Sequence, residues 1–279
     1  MQILPLTGAL GAEVIGADIR NAQDCAEIKQ AFTDFSVITV RAQNVTPQDH
    51  RAFAKGFGAI NINRFFTPVE GHPDIATVLK EADQANAIGE NWHTDHSYDQ
   101  IPAMGSILRA IELPPFGGDT CFASMTAAFG ALSETMKDFL LGLRAIHSSR
   151  HAFGQSQTEH ESYKTGRLQN ADKATQDANH PVVIRHPLSG KPALYVNPDF
   201  TTQILGLSAS ESKATLTFLY AHCTNPDFQC RVRWQPGDVT MWDNRATWHK
   251  AINDYHGHRR LMHRITIEGC ELHPAKEGI

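Results

Sequence analysis

The chain carries His93 and Asp95, two residues apart in Trp92-His93-Thr94-Asp95, and His249 in Ala246-Thr247-Trp248-His249, more than half the chain further on. Two imidazoles and one carboxylate on one metal ion make a facial triad. That set leaves three adjacent coordination positions open and is the usual platform of non-haem Fe(II) oxygenases. A structural zinc site would fill its positions with thiolates and imidazoles. On a strand, residues i and i+2 leave the same face, so His93 and Asp95 can share a metal while Thr94 points away. Taken alone, the pair reads first as a half-buried histidine and a turn aspartate, because fifteen histidines guarantee chance matches. Any fold that uses all three residues together must bring two remote segments side by side.

The 279 residues are long for one domain but ordinary for a large β-barrel or sandwich enzyme. With 41% hydrophobic and 20% charged residues the chain can bury a sizeable core. A net charge of −5 argues against a nucleic-acid partner, which calls for a basic surplus. The five cysteines form neither a C-x-x-C nor an even framework, which points to a reduced, cytoplasmic protein. Met1-Gln2-Ile3-Leu4-Pro5 has no basic, long apolar leader, and no segment reaches the roughly 20 apolar residues of a membrane span.

No repeat, low-complexity tract or linker interrupts the sequence, so the expectation is a single domain over residues 1–279 with helical insertions. Ile28, Phe32 and Phe35 recur at helical spacing in a helix over about Gln23–Phe35, followed by a buried strand, Val37-Ile38-Thr39-Val40. Thr46 can cap a second helix with Pro47 at its first position. Ser124 and Ser133 open a helical pair ending near Leu143, and Ser208-Ala209-Ser210-Glu211 is a capping box for a helix to about His222. The rest reads as strand. Residues 181–185 and 192–196 flank a Leu188-Ser189-Gly190-Lys191 turn and predict a hairpin. Residues 230–234 and 239–242 flank Gln235-Pro236-Gly237-Asp238 and predict a second, and Arg260–Glu268 is a last long strand. Short antiparallel strands with helices confined to insertions predict a mainly β fold, a double-stranded β-helix (jelly roll, cupin-like).

On that last strand Arg260, Met262 and Arg264 share one face and Leu261, His263 and Ile265 the other. The arginines alone read first as surface charges. They can also be inward anion holders, since a guanidinium grips a carboxylate bidentately and stays charged when partly buried. Following a metal-type histidine, Arg260 becomes a candidate for the distal carboxylate of a bound diacid.

Six pieces occur in one order: Trp92-His93-Thr94-Asp95, Gly117-Gly118-Asp119-Thr120, Leu194-Tyr195-Val196-Asn197, Trp242-Asp243-Asn244, Thr247-Trp248-His249 and Arg260 through Arg264. With the opening Leu6-Thr7-Gly8-Ala9-Leu10-Gly11-Ala12-Glu13-Val14, the ordered set resembles the taurine dioxygenase family of Fe(II)/2-oxoglutarate-dependent dioxygenases, which includes the phenoxyalkanoate-herbicide dioxygenases. The resemblance implies that His93, Asp95 and His249 hold iron. It implies that Thr120 and Arg260 hold the distal carboxylate of 2-oxoglutarate with Trp242 nearby, and that Arg264 receives a substrate anion beside Phe153 and Phe200. On local sequence Thr120 reads as a strand-opening threonine, and the aromatics read as well as core residues.

The sequence departs from the taurine enzyme where substrate contacts fall. Asn63 and Phe66 stand near its histidine and tyrosine, and Gly89 near the asparagine that meets the substrate amine. Losing those partners argues against taurine and for an apolar or aromatic acid in a pocket with Asn63, Phe65, Phe66, Tyr98 and Arg264. His96 reads as a substrate donor or as an exposed loop histidine. Because Asp95 keeps the carboxylate that halogenating relatives lack, the resemblance implies hydroxylation, with O2 consumed and succinate and CO2 released. It also implies a small acidic substrate, an aryloxy or alkyl carboxylate or else a sulfonate or sulfate ester, all of which Arg264 fits, and a homo-oligomer, dimer or tetramer, with no nucleic-acid or membrane partner. A metal-dependent hydrolase and a non-enzymatic anion-binding jelly-roll protein are the alternatives.

Overall fold

The computed structural model describes residues 1–276, so the last three residues of the expected single-domain span lie outside the described ones. The fold is mainly β and of jelly-roll type. A nine-stranded sheet runs in the order Gln2–Pro5, Ala12–Ile15, Val37–Val40, Val239–Asp243, Gly105–Glu112, Arg260–Ile267, His72–Lys80 and Pro68–Val69, with Ile60–Asn61 also paired to Arg260–Ile267. A smaller sheet of Gln229–Val232, Thr120–Ser124 and Thr247–Ala251 faces it. Period-two alternation sorts each strand between two cores. Met262, Leu108, Trp242 and Val37 meet Phe122, Cys230 and Val232 in one cluster. Ile265, Ile107, Met241 and Ile38 pack instead with Ile28 and Phe32 of helix Ala22–Phe35 and Phe53 of helix Pro47–Lys55. On Arg260–Ile267 the alternation places Arg260 and Arg264 with Met262, buried at 5% and 6% exposure, so the surface reading of these arginines does not hold.

The helix starts lie where their capping residues stand. Thr46 accepts from Asp49 N while the Asp49 side chain returns to the Thr46 backbone, and Ser208 and Glu211 do the same for Ala209–Cys223. Ser124 and Ser133 cap Met125–Gly130 and Glu134–Leu140. The second of these helices stops at Leu140 rather than near Leu143, ahead of Gly142 at φ +91°.

The expected hairpin of residues 181–185 and 192–196 forms, with Val183 opposite Leu194 and Arg185 opposite Pro192. The second does not. Gln229–Val232 pairs with Thr120–Ser124 in the small sheet, whereas Val239–Asp243 pairs with Val37–Val40 and Gly105–Glu112 in the large one. The turn at 235–238 is real but arches from sheet to sheet. Gln43 N donates to Gly237 O and Ala110 N to Asp238 O, which anchors the arch on the large sheet. Gly237 sits at φ +81°, and a Cβ there would stand 2.9 Å from the Gln43 carbonyl oxygen. Between residues 150 and 173, where the sequence reads as strand, the chain instead forms the short helices Arg150–Phe153 and Glu161–Lys164 and two 3-10 turns. No helix among the described residues is long and apolar enough to cross a membrane.

Candidate functional site

Two backbone hydrogen bonds close the long sequence gap. His93 N donates to His249 O at 3.1 Å and His249 N to His93 O at 2.8 Å, an antiparallel bridge that sets the imidazoles side by side with centroids 4.1 Å apart. Thr94 leaves the opposite side, as its position between the two requires, and its hydroxyl reaches Thr247 O at 2.6 Å and Asn244 O at 3.0 Å. Asp95 then turns back toward the histidines. His93 Nε2 is 3.7 Å from Asp95 Oδ1 and His249 Nε2 is 3.9 Å from Oδ2.

All three residues are buried, and their ligand atoms lie within 4.8 Å of one another, the spacing of groups that converge on one cation. His93 Nδ1 lies 2.8 Å from Asn91 O, which leaves Nε2 as the lone-pair side facing Asp95. The His249 ring is bracketed by Trp242 at 4.7 Å and Phe122 at 6.1 Å. Burial holds His249 well below its ordinary value, with His93 adding to the effect, so it is a neutral donor. Burial pushes the Asp95 carboxyl up, but the charged surroundings, Arg264 first among them, outweigh it and hold the group well below the usual carboxylate range. Ser106 donates to Asp95 Oδ2 at 3.0 Å, and Arg264 Nη1 stands 3.4 Å from both carboxylate oxygens.

The triad opens on a cavity of about 330 Å³. Thr120, Trp242 and Arg260 line it, as do Arg264, Asn63, Phe66, Phe153 and Phe200. Thr120 Oγ1 accepts from Trp234 Nε1 at 3.0 Å, and the Arg260 guanidinium lies 5.7 Å from the Trp234 ring centroid. Arg260 Nε and Nη2 and Trp242 Nε1 are buried with no hydrogen-bond partner, so a buried cation here has donors to spare. The Gly117-Gly118 turn makes room for it. Gly118 is at φ +69°, and a Cβ there would come within 3.1 Å of Arg260 Cδ.

On the other side of the cavity Arg264 lies 4.3 Å from the Phe66 ring centroid with its Nε unpartnered. Tyr98 packs edge-on to Phe200 at 4.9 Å, and Phe153 stacks on Phe65 at 4.4 Å. Asn63 Oδ1 accepts from Phe65 N at 2.9 Å and Phe66 N at 3.2 Å, which fixes the amide with Nδ2 on the far side.

His96 does not line the cavity. It is 2% exposed, so the exposed-loop reading fails. Its Nε2 is 3.2 Å from Asn63 Nδ2 and its Nδ1 is 3.0 Å from Asp99, which Arg64 grips with both terminal nitrogens at 2.8 and 3.1 Å. His96 thus stands behind Asn63 as a strut. Gly89 lies against His93 at φ +82°, where a Cβ would come 3.2 Å from His93 Cε1, so a side chain there would crowd the His93 ring and strain the backbone.

Sequence reasoning missed Ile88, Glu90, Tyr163 and Asp199, all of which line the cavity. The only local signal was Asn197-Pro198-Asp199-Phe200, in which Asn197 Oδ1 accepts from Phe200 N at 2.9 Å and sets the turn that aims Asp199 inward. Burial pushes the Asp199 carboxyl up.

A family model described as taurine catabolism dioxygenase, TauD/TfdA family, matches residues 2–266. The chain is 32% identical to an alpha-ketoglutarate-dependent sulfate ester dioxygenase of Pseudomonas putida, over 96% of this chain and 90% of that protein. It is 31% identical to the alpha-ketoglutarate-dependent 2,4-dichlorophenoxyacetate dioxygenase of Cupriavidus pinatubonensis, over 95% and 96%. The crystal structure of a taurine dioxygenase from Burkholderia xenovorans superposes with a TM-score of 0.80 at 31% identity, covering 99% of this chain and 96% of that one.

Proposed function

The chain belongs to the TauD/TfdA family of dioxygenases, and from that premise we propose that it hydroxylates a small organic anion with an apolar or aromatic body, a sulfate ester or an aryloxy or alkyl carboxylate rather than taurine. It is an Fe(II)- and 2-oxoglutarate-dependent oxidoreductase. The converging donor atoms of His93, Asp95 and His249 suit a divalent transition-metal ion such as Fe(II), and these residues hold the iron. The bound iron, with 2-oxoglutarate and O2, supplies the oxidising power, and succinate and CO2 leave as co-products.

The protein's share is binding, orientation and exclusion of water. Arg260 receives the distal carboxylate of 2-oxoglutarate through the donors that have no partner in the protein, and the Thr120 hydroxyl stands beside it. Trp242 walls the co-substrate side. Arg264 Nε, likewise unpartnered, receives the substrate anion at the metal, with the Asn63 amide as neighbour. Phe66, Phe153 and Phe200 with Tyr98 enclose the apolar body and keep water from the reacting carbon. His96 acts through Asn63. Where the hydroxylated carbon bears an ester or ether oxygen, the product falls apart to a carbonyl compound and the released sulfate or phenol.

The observation that carries the choice of substrate is the wall around Arg264: aromatic rings and one amide, with Gly89 contributing no side chain. The hydrolase alternative leaves Arg260 and Thr120 without a part, and an anion-binding protein that uses Arg260 and Arg264 leaves the converging metal-type residues without one. The same reading makes residues 1–279 one domain, places the protein in the reducing cytoplasm in keeping with its free cysteines, and makes it a homodimer or tetramer, a state that light scattering reads directly.

The test is succinate release by the iron-loaded enzyme against taurine, medium-chain alkyl sulfates and phenoxyacetates. An alkyl sulfate or aryloxy acid should stimulate release at least tenfold over the substrate-free rate. Stimulation by taurine alone would overturn the substrate assignment.

A further inference from the structure

Lys80 ends the strand His72–Lys80 and is 1% exposed. Its Nζ has no hydrogen-bond partner and no acidic group within ion-pair distance among the described residues. It rests 4.7 Å from the Tyr255 ring centroid, a cation–π contact that offsets only part of the cost of burying an ammonium. Lys80 stands directly opposite Arg260 across the antiparallel pair, so both side chains leave the same face of the sheet, with Cβ atoms about 5 Å apart.

Two buried cationic side chains thus leave one face of the sheet, and among the described residues neither has a carboxylate within ion-pair distance. The acids of the adjoining segments make their contacts with other groups: Glu81 pairs with Arg259 at 3.0 Å, Asp119, whose charge still reaches Arg260, pairs with Arg231 at 2.6 Å, and Glu90 accepts from the neutral Asn253 amide at 2.9 Å. Burying like charges together is unfavourable unless an anion joins them. Val78, two residues earlier on the same face, lines the cavity; Lys80 itself does not, so its charge acts through the low-dielectric wall rather than by contact.

We propose that Lys80 is a second positive charge of the co-substrate pocket, a positioning residue that works with Arg260 to favour 2-oxo acids bearing a distal carboxylate over monocarboxylate 2-oxo acids. The inference rests on the assignment of the Arg260 pocket to 2-oxoglutarate. Its signature is selectivity, which a merely structural lysine would not move.

The experiment is calorimetric binding of 2-oxoglutarate and of pyruvate, which lacks the distal carboxylate, to Mn(II)-loaded protein. Lys80→Met keeps an unbranched side chain only one atom shorter and removes the charge. It should raise the Kd for 2-oxoglutarate about tenfold and leave that for pyruvate within twofold, and Lys80→Arg should restore most of the loss. Wild-type affinity for 2-oxoglutarate in a folded Lys80→Met protein overturns the proposal, as does an equal loss for both ligands. If Lys80→Met does not fold, Lys80→Gln decides by the same criteria, and failure of both to fold assigns the charge to the fold instead. Arg260→Ala in the same assay separates the two claims. If it too leaves 2-oxoglutarate binding intact, the pocket assignment itself fails; if it alone weakens binding, only the role of Lys80 falls.

Discussion

Arg260 shows how one side chain is read differently in sequence and in space. On the sequence it is one of two arginines on a strand face, more readily a surface charge than a ligand holder. In the fold it is 5% exposed, with two guanidinium nitrogens unpartnered in a cavity wall. A charge-assisted hydrogen bond is worth about 1.5–3 kcal/mol, so Arg260→Ala should raise the KM for 2-oxoglutarate about ten- to a hundredfold. An unchanged KM in steady-state assays would count against the assignment. The metal group was legible because residues i and i+2 on extended chain must share a face, and His93 and Asp95 do converge on His249. His96 was not legible. Its neighbours Asn63 and Asp99 are a loop residue and a turn residue, and no local pattern announces a hydrogen-bonded chain among them.

At the scale of elements, capping was the most reliable signal, since an N-cap is decided by four consecutive residues. The arch at 235–238 was misread because a turn flanked by two apolar runs looks the same whether the runs pair with each other or with different sheets. The helices between 150 and 173 were missed because four-residue turns carry no amphipathic period. Helix Pro47–Lys55 adds a testable consequence of its packing. His50 on this helix is fully buried, and its pKa is lowered from 6.5 to about 3 by burial, with the Arg109 and His263 charges adding to the effect. The unfolded chain therefore binds the His50 proton first as pH falls. The stability held by neutral His50 is complete above about pH 6.5 and lost progressively below it, by about 2 kcal/mol between pH 7 and pH 5. His50→Leu removes that group, so its urea-unfolding free energy should vary correspondingly less across that interval. An undiminished pH slope in the variant would show that the acid sensitivity lies elsewhere.

At the scale of the molecule, the jelly roll followed from many short strands with turn punctuation and few helices. Which strands share a sheet did not, because partner choice depends on contacts hundreds of residues apart, such as the Thr39–Thr240 hydroxyl pair at 3.0 Å. The two-sheet arrangement carries the chemistry. The small sheet contributes Thr120 and His249, the large sheet contributes Arg260, Arg264 and Trp242, and the segment around His93 ties to the small sheet through one bridge. No single element holds the site, so the chemistry requires the three metal-type residues to act together. The most direct measurement is turnover under 18O2, following oxygen uptake and the isotope content of succinate in the wild type and in His93→Ala. The wild type should form one succinate per O2 consumed, each carrying one 18O atom, and His93→Ala should form none. Succinate production that persists undiminished in His93→Ala, or its absence from the iron-loaded wild type, would contradict the account.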